Sequence, residues 1–371
     1  MNRRDSLPSI GIVMHDFALG GTERIATRLA SRWASEGAAV TILCGTDTGE
    51  MRGLLDPAVR VVAAPTPISR GWGSRIRLAR AAAAFFARER VDAVFLPGNF
   101  HWPVVPALSA LPAGRRPAIV AQVSAALSKP QRRGVRQRLF ALRMRALLRR
   151  ADAIVALSSP AAAEAEQIMG RGIVATIPLP ALPDRIVPPV PVADGPPVLL
   201  AAGRLVPEKG FDLLIAAFAL IGDPTAELVI VGDGPDRARL EALVAAHGLG
   251  ARVRLPGYVA DTRPWLDAAR LFVLPSRFEG YPAVLVEAFA AGRAAIATNC
   301  TPAAAELIDD PAIGRIVPLD DAAAMAGAIM AMLALPPPDP ARLAARVERH
   351  RIGPVASDYL ALFSGLAAGR R

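Results

Sequence analysis

Short apolar runs of four to seven residues alternate with segments of helical periodicity along almost the whole chain, and this alternation constrains the fold more than any other feature. Strands that are apolar on both faces are typically buried, and buried strands separated by helices pair in parallel. The runs predict strands at 9–14, 38–44, 59–64, 92–97, 117–123, 152–157, 198–202, 227–231, 252–255, 271–274, 294–298 and 313–317. The pattern therefore predicts an α/β protein built from doubly wound parallel sheets.

A proline-rich segment interrupts the alternation once. Eight prolines lie between positions 178 and 197, which is typical of a stiff, extended connector. We therefore predict an N-terminal Rossmann-like domain at 1–180, a linker at 181–196, a C-terminal Rossmann-like domain at 197–353, and a final helix within 354–371 that packs back on the N-terminal domain. Two such domains are expected to face each other across a cleft, where open α/β sheets bind their ligands.

The cysteines, histidines and apolar segments exclude several classes of protein. Two cysteines, Cys44 and Cys300, are too few for a disulfide framework and indicate a reducing compartment. No apolar stretch reaches the roughly 18 residues of a membrane span, and the run after Arg3 and Arg4 is too short for a signal peptide. We therefore expect a cytoplasmic protein. We expect no metal either, because no histidine is spaced as a metal ligand with another candidate ligand; the histidines are His15, His101, His247 and His350.

The net charge of +10 is concentrated in one region. No acidic residue lies between Asp92 and Asp152, and the segment 115–150 carries eleven arginines and lysines. Apolar residues such as Val135 and Leu139 recur among these cations at helical spacing, a pattern typical of helices that lie on anionic membranes. Nucleic acid is not expected, because no recognition motif or stacking aromatic accompanies the charge. The alternative to a membrane surface is a solvated basic helix.

The segment 203–210 predicts an anion site. It has the sequence Gly-Arg-Leu-Val-Pro-Glu-Lys-Gly and lies between an apolar strand and a helix. Helix N-termini attract anions, and Arg204 and Lys209 add two cations at the same point. The alternative is that both are solvated surface charges.

The segment 275–287 predicts a site for hydroxyl groups. Glu279 lies in the loop after a strand, and Glu287 lies about one turn into the following helix. Carboxylates accept hydrogen bonds from vicinal hydroxyls, so one can hold a sugar ring and the other a ribose. Gly280 allows the backbone to approach a ligand closely. The alternative is that Glu279 caps the helix and Glu287 lies on the surface.

Two glycine-rich turns complete the candidates. Gly20 and Gly21 begin the segment Gly-Gly-Thr-Glu, which joins the first strand to the first helix either as a plain turn or as a backbone nest for an anion. Gly232 and Gly234 also follow a strand, but a proline comes next and the third glycine of a dinucleotide-binding fingerprint is missing.

Taken together, these motifs resemble those of the retaining glycosyltransferases of family 4, which have the GT-B fold. The resemblance is continuous from 200 to 308 and looser in the first half. Its motifs are Gly-Arg-Leu-x-x-Glu-Lys-Gly at 203–210, Val-Gly-Asp-Gly-Pro at 231–235, Gly-Tyr-Val at 257–259, Pro-Ser-x-Phe-Glu-Gly-Tyr-Pro at 275–282 with Glu287, and Gly-Gly-Thr-Glu at 20–23.

The resemblance implies a role for each matching residue. Arg204 and Lys209 would neutralise the donor diphosphate and the charge that develops on it, and with Glu279 they would form the catalytic group. The ribose would be held by Glu287. The remaining donor contacts would come from Gly20, Gly21, Gly257, Tyr258, Gly280, Tyr281 and Pro282. The family needs no metal, and its members are thought to retain the anomeric configuration without an enzymic nucleophile.

One departure from the family lies in the N-terminal half. Many members carry a histidine after a strand there, facing the donor sugar. The corresponding segment, 121–125, reads Ala-Gln-Val-Ser-Ala. Ser124 lies nearest to the missing histidine, and His101 in a neighbouring loop is the other candidate for the acceptor side. A lone histidine also fits a structural role.

The resemblance implies a metal-independent, retaining hexosyltransferase-type glycosyltransferase. It would move a sugar from a nucleotide donor, with UDP favoured over GDP, to a glycan or lipid-linked acceptor in lipopolysaccharide or other cell-surface polysaccharide biosynthesis. It would be cytoplasmic and peripheral on the inner face of the membrane. The alternatives are a non-catalytic nucleotide-sugar-binding module and a sugar-nucleotide epimerase of the same fold.

Overall fold

The computed structural model describes residues 7–18, 20–124, 127, 134–170 and 172–370. The chain divides into two units, each with one parallel sheet. The N-terminal unit contains the described residues up to Pro180 together with those from Ile352 onward, and the C-terminal unit is Ala181–Arg351. The final helix thus belongs to the N-terminal unit.

The sheet of the N-terminal unit has seven strands in the order β3-β2-β1-β4-β5-β6-β7, all paired in parallel. The strands are β1 Ile10–Met14, β2 Val40–Cys44, β3 Arg60–Ala63, β4 Ala93–Leu96, β5 Ala118–Val123, β6 Ala153–Ala156 and β7 Val174–Thr176. The direction of winding reverses between β1 and β4, so the loops that follow these two strands diverge. Such a point is where doubly wound sheets bind ligands.

Helices cover both faces of this sheet. They are α1 Gly21–Ser35, α2 Ser74–Phe86, α3 Val104–Ser109, α4 Val135–Leu148, α5 Ser159–Met169 and the C-terminal α13 Ile352–Ala368. An apolar stripe of α13 at i, i+4 spacing, with Val355, Tyr359 and Phe363, packs in the same core as Trp33 of α1. The indole nitrogen of Trp33 donates to the carbonyl of Ala356 over 3.1 Å, which satisfies its only polar group.

The sheet of the C-terminal unit repeats the same winding order with six strands, β10-β9-β8-β11-β12-β13. Its strands are β8 Val198–Ala202, β9 Glu227–Val231, β10 Val253–Gly257, β11 Leu271–Leu274, β12 Ala295–Thr298 and β13 Gly314–Val317. Its helices are α6 Phe211–Ala219, α7 Arg237–Ala246, α8 Arg263–Ala268, α9 Ala283–Ala290, α10 Pro302–Leu307, α11 Ala322–Leu333 and α12 Pro340–Arg346. Here the winding reverses between β8 and β11.

The proline-rich segment lies along the C-terminal unit, held by arginines. Arg293 is fully buried, and its guanidinium donates to the carbonyls of Leu266 (2.8 Å) and Val190 (2.8 Å). Arg263 donates in the same way to the carbonyl of Val187 over 3.0 Å. Backbone carbonyls of a segment without regular structure still need donors, and these side chains supply them.

The doubly wound α/β class is confirmed for each unit. Every predicted strand is present, with its ends within two residues of the prediction. The strand β7 was not predicted, because three residues at the edge of a sheet carry little periodic signal. Among the described residues, no helix has the length and apolar composition needed to cross a bilayer.

Candidate active site

The two motifs predicted to carry chemistry follow the neighbouring strands β8 and β11. Because the sheet winds in opposite directions from these strands, the loops 203–210 and 275–282 flank its point of reversal. We call them the phosphate loop and the sugar loop, after the groups that the sequence predicts for them. Their adjacency is a consequence of topology that residue order alone does not reveal.

The two loops are joined by Lys209 and Glu279. The ammonium of Lys209 donates to Oε1 of Glu279 over 2.6 Å, and the hydroxyl of Ser276 donates to the same oxygen over 2.8 Å. Glu279 is only 9% exposed. Oε2 of Glu279 has no hydrogen-bond partner among the described residues, and an ammonium has two further N–H groups. The pair therefore keeps one acceptor and two donors for a ligand.

The phosphate loop carries its positive charge on a tightly folded backbone. The stem of Lys209 lies over Gly203, whose added Cβ would be 3.6 Å from Cδ and Cε of the lysine. The side chain of Arg204, which follows Gly203, is exposed and forms no ion pair within the described part of the chain. Gly210 has φ 64°, and a Cβ there would lie 2.1 Å from the carbonyl oxygen of Pro275. Two cations at the start of α6 make this point attractive to an anion.

The glycines of the Val-Gly-Asp-Gly-Pro motif pack closely against the backbone of the phosphate loop. A Cβ on Gly232 would lie 1.9 Å from the carbonyl oxygen of Gly203, and one on Gly234 would lie 2.3 Å from that of Leu205. The amide of Leu205 in turn donates to the carbonyl of Asp233 over 2.9 Å. Close contact between two backbones requires glycine. From sequence this motif is an incomplete dinucleotide fingerprint and part of the family resemblance, whereas its packing role depends on contacts between distant loops.

Arg277 fastens the sugar loop to the start of α6. Its guanidinium donates to Asp212 over 2.9 and 3.1 Å and to Asp320 over 2.6 Å, and its backbone amide donates to the carbonyl of Glu208 over 2.8 Å. Burial disfavours the ionised Asp212, but the hydrogen bonds and charge of Arg277, together with the Leu213 amide and the charge of Arg239, hold the pKa of that carboxyl below its usual value. Sequence reasoning assigned no role to Arg277, because its partners lie 65 and 43 residues away.

Glu287 and Gly257 lie at the other end of the site. Glu287 is half-buried in the second turn of α9, and the hydroxyl of Thr262 donates to its Oε2 over 3.1 Å. The carbonyl of Gly257 accepts from the amide of Gly232 over 2.8 Å, which places the end of β10 beside the glycines that support the phosphate loop. The neighbouring ring of Tyr258 is exposed. Thr262 is a contact that sequence reasoning missed.

The backbone of the sugar loop is held by two side chains from outside it. Thr301 donates to the carbonyl of Gly280 over 3.3 Å, and the hydroxyl of Tyr281 lies 3.2 Å from Nε2 of His350. Burial raises the pKa of Tyr281, so this phenol is neutral. Pro282 is buried and directly precedes α9. Within the C-terminal unit, the fold thus brings together the predicted residues of both loops.

The candidates of the N-terminal unit meet at its own reversal point, between β1 and β4. Gly20 is the cap of α1, and Gly21 is already its first residue. The carboxylate of Glu23 lies over Gly20 and pairs with Arg70. The backbone amides at this helix start therefore already have a carboxylate nearby.

Ser124 and His101 lie in adjacent loops of that unit. The amide of Ser124 donates to Oδ1 of Asn99 over 2.9 Å, and its side chain is half-buried. His101 is 1% exposed, and its Nδ1 lies 2.6 Å from the carbonyl oxygen of Pro97. Burial lowers the pKa of His101 to about 4, so the ring is neutral at pH 7. Of the two candidates for the acceptor side, only Ser124 is accessible to solvent.

His15 is a buried neighbour of His101 that sequence reasoning left without a role. The two ring centroids are 5.6 Å apart, and neither ring nitrogen of His15 has a hydrogen-bond partner of acceptable geometry in the described residues. Burial, with smaller contributions from His101 and Arg70, lowers the pKa of His15 to about 4. No group of three histidine, cysteine, aspartate or glutamate side chains arranged to hold a metal occurs in the described part of the chain.

Family comparisons agree with this geometry. The profile described as "Glycosyltransferase Family 4" matches residues 19–185, and that described as "Glycosyl transferases group 1" matches residues 196–335. The first match begins after β1 and covers the other six strands of the N-terminal sheet, and the second covers all six strands of the C-terminal sheet. The chain belongs to the family 4 glycosyltransferases.

Relatives of this glycosyltransferase include two curated enzymes. The lipopolysaccharide core biosynthesis glycosyltransferase LpsE of Rhizobium meliloti is 36% identical over 138 residues, which cover 37% of this chain and 40% of LpsE. The N-acetylgalactosamine-N,N'-diacetylbacillosaminyl-diphospho-undecaprenol 4-alpha-N-acetylgalactosaminyltransferase of Campylobacter jejuni is 32% identical over 135 residues, covering 36% of this chain and 37% of the enzyme. The matched segments thus span less than half of either relative.

Solved structures share the fold over nearly the whole chain. HepE of Anabaena, in complex with UDP and glucose, superposes with a TM-score of 0.69 at 19% identity and covers 98% of both chains. At this level of identity the likeness establishes the GT-B fold of the glycosyltransferase.

Proposed function

We propose that the protein is a retaining glycosyltransferase that transfers a sugar from a nucleoside-diphosphate donor to a glycan or lipid-linked acceptor during cell-surface polysaccharide biosynthesis. The observation that carries the proposal is the Lys209–Glu279 pair, which sets a cation and a carboxylate with a free oxygen side by side at the reversal point of the sheet. A pyrophosphate-linked sugar carries an anionic diphosphate next to a ring with hydroxyl groups, so a cation beside a carboxylate is suited to bind it.

The phosphate loop supplies the charge for bond cleavage. Breaking the sugar–phosphate bond leaves additional negative charge on the diphosphate, and Lys209 and Arg204 stabilise it. In the proposed reaction these two side chains take the role that a metal ion has in other glycosyltransferases. Lys209 is held by Glu279 before the donor arrives, so its ammonium needs little reorganisation during the reaction.

The sugar loop positions the donor sugar. The free Oε2 of Glu279 accepts a hydrogen bond from a sugar hydroxyl, and the backbone at 280–282 contacts the ring. Oε1 is engaged by Lys209 and Ser276, and the proposal assigns Oε2 to a sugar hydroxyl, which gives Glu279 a role in binding. The departing phosphate oxygen takes the proton of the acceptor hydroxyl on the same face of the sugar, which retains the anomeric configuration.

The donor is tested directly by a thermal-shift screen with UDP, GDP and their common sugars. We expect a UDP-sugar to stabilise the protein most, since HepE, which shares the fold, is in complex with UDP. We also expect slow hydrolysis of that donor without an acceptor, with the released sugar first in the donor's anomeric form by NMR. Binding without any hydrolysis would identify a binding module instead.

We propose that the acceptor is reached from an anionic membrane surface on the cytoplasmic side, through α4. Residues 135, 139 and 142 of this helix share one face and are exposed, Leu139 at 61% and Leu142 at 62%. Exposed arginines flank this stripe on both sides, at 136 and 143 on one and at 138, 145 and 149 on the other. Met144 and Leu148 on the opposite face are buried in the core. Cations beside an exposed apolar stripe are typical of interfacial helices.

The start of α2 extends this surface. Trp72 is 99% exposed, and Ile76 follows it by one helical turn and is exposed as well. After burial, the charge of Arg143 in α4 contributes to the lowered pKa of Arg75, so the start of α2 lies within electrostatic range of α4. Tryptophan prefers the interface between lipid and water. Lys129, Arg132 and Arg133 of the basic segment lie outside the described residues.

Membrane binding is measured by co-sedimentation with vesicles. We expect binding to phosphatidylglycerol vesicles that weakens as salt is raised, because each surface cation contributes about 1 kcal/mol to attraction by anionic lipid. Replacing both Leu139 and Leu142 by serine should reduce it, whereas the exposed Leu220→Ser in the other unit should not. Equal binding to phosphatidylcholine, or none to either, would exclude this surface. The name of the Campylobacter relative, with its diphospho-undecaprenol acceptor, is consistent with such docking.

A further inference from the structure

The contact between Tyr281 and His350 leads out of the sugar loop to a different part of the C-terminal unit. His350 ends the short 3₁₀ turn Glu348–His350, and Arg351 separates this turn from α13. Its side chain is fully buried, its ring centroid lies 5.6 Å from that of Tyr281, and its Nε2 lies 3.2 Å from the phenol oxygen. A buried hydrogen bond between two rings fixes both side chains, since each would otherwise leave a polar atom unsatisfied.

His350 also lies where the chain passes between its two units. The units divide at 180/181 and again at 351/352. The carbonyl of His350 accepts from the amide of Leu182 over 3.0 Å, and Leu182 and Arg351 form an isolated parallel bridge. The guanidinium of Arg351 donates to the carbonyl of Pro183 over 2.8 Å. The two passages of the chain are thus bonded to each other within two residues of the boundaries.

The other restraints on the sugar loop stay within the site. Glu279 is held by Lys209 and Ser276, and the carbonyl of Gly280 by Thr301. Tyr281 alone among these loop residues has a described hydrogen bond to the segment at the unit boundary. The Tyr281–His350 contact thus connects the boundary segment to the sugar loop.

We propose that His350 is a positioning residue which, through Tyr281, holds the sugar-facing backbone at 280–282 in register with the paired passages of the chain at Leu182 and Arg351. This inference rests on the proposed function, because it assigns the sugar loop to the donor sugar. Coupling of this kind is reciprocal: occupancy of the sugar loop stabilises the paired passages, and distortion of the passages weakens sugar binding.

The experiment compares a sugar nucleotide with its nucleoside diphosphate by isothermal titration calorimetry. The probes are UDP-glucose, UDP-galactose, UDP-N-acetylglucosamine and GDP-mannose, each against UDP or GDP. The variants are Tyr281→Phe, which removes only the hydroxyl, His350→Leu, which removes the partner, and His350→Gln, which keeps a polar group near Nε2. Tyr359→Phe is the matched control, because it removes a buried phenol that bonds Gln122 in the N-terminal unit over 2.9 Å.

We expect Tyr281→Phe and His350→Leu each to lower the affinity for the sugar nucleotide by about threefold to tenfold, in line with the loss of one hydrogen bond. The nucleoside diphosphate should bind as to the wild type, the double variant should be no weaker than either single one, and His350→Gln should recover most of the affinity. Tyr359→Phe should lower the melting temperature without changing either affinity.

Two results would overturn the inference. Equal loss of affinity for the diphosphate and the sugar nucleotide would show a general structural role, and unchanged affinity for both would show no role. Failure of the wild type to bind any of the probes would instead contradict the proposed function. Tyr281→Phe and His350→Gln keep the test decisive if His350→Leu does not fold.

Discussion

The ammonium nitrogen of Lys209 lies 2.6 Å from Oε1 of Glu279, and this ion pair joins the loop after β8 to the loop after β11. Both partners are largely withdrawn from solvent, so the pair is less screened than one on an open surface. Its geometry leaves Oε2 of Glu279 and two N–H groups of Lys209 for a ligand.

Lys209→Ala should weaken nucleotide-sugar binding by about tenfold or more. The change removes a cation from the proposed diphosphate site and leaves a buried carboxylate unpaired, and a charge-assisted hydrogen bond contributes about 1.5–3 kcal/mol. Calorimetric titration measures the loss. Glu208→Ala, next to Lys209 but exposed, is the control and should bind normally. Wild-type affinity in Lys209→Ala would contradict the phosphate assignment.

Glu287→Ala should abolish stabilisation by the nucleoside diphosphate as well as by the sugar nucleotide, because a ribose is common to both. The fold should survive, because Glu287 is only half-buried and its carboxylate is not part of the apolar core. Thr262→Val should have a smaller effect in the same direction. Thermal-shift curves with UDP and a UDP-sugar measure both, and a loss confined to the sugar nucleotide would move Glu287 from the ribose to the sugar.

Gly232→Ala should disrupt the support of the phosphate loop. Gly232 has φ 139°, which side chains rarely adopt, and the new Cβ would lie 1.9 Å from the carbonyl oxygen of Gly203. We expect a lower melting temperature and weaker donor binding together. Gly327 in α11 is the matched control, because an added Cβ meets nothing within 4 Å there. Gly327→Ala should stabilise the protein by up to about 1 kcal/mol, and unchanged stability in Gly232→Ala would contradict the packing described here.

Acidification should destabilise the N-terminal unit through His15 and His101. Burial lowers the pKa of both rings to about 4, whereas the unfolded chain has the ordinary value of 6.5. The unfolded state therefore binds more protons between these values, so the stabilisation is complete above pH 6.5 and is lost as the pH falls toward 4. Each ring should contribute on the order of 2 kcal/mol to that loss.

Urea unfolding at pH 7, 5.5 and 4.5 tests the pH dependence. His101→Gln should flatten it relative to the wild type, and the exposed His247→Gln should not. The carboxylates are the same in His101→Gln and in the wild type. The difference between the pH profiles of their unfolding free energies therefore reports the buried ring. Parallel pH profiles for His101→Gln and the wild type would show that the ring is not buried in neutral form.

Most of the fold could be predicted, for a physical reason visible in the strands. Strands such as β8 and β11 are buried on both faces, so their apolar runs stand out against the polar turns that follow. The edge strand β7 has only three residues and no such contrast. Helix ends were less certain, as α6 ends at Ala219 although its apolar pattern continues to Ile221.

The candidate site could be predicted where its chemistry is local in sequence. Arg204, Lys209 and Glu279 lie in loops that follow strands, and Glu287 lies in the helix that follows the second loop. The charge of each is evident from its residue type. Arg277 and His350 could not be assigned, because their significance depends on Asp212 and Tyr281, residues that are distant along the chain.

By itself, then, the amino-acid sequence determined the α/β class, the strand positions, the family and the cations and carboxylates available for chemistry. These properties depend on hydrophobic periodicity and on side-chain type, which are local. Only the tertiary structure decided that Lys209 pairs with Glu279, that Gly232 supports Gly203, and that His101 is closed off from solvent. Pairing, backbone contact and burial depend on which segments lie next to each other in the fold, and the order of strands in each sheet decides that.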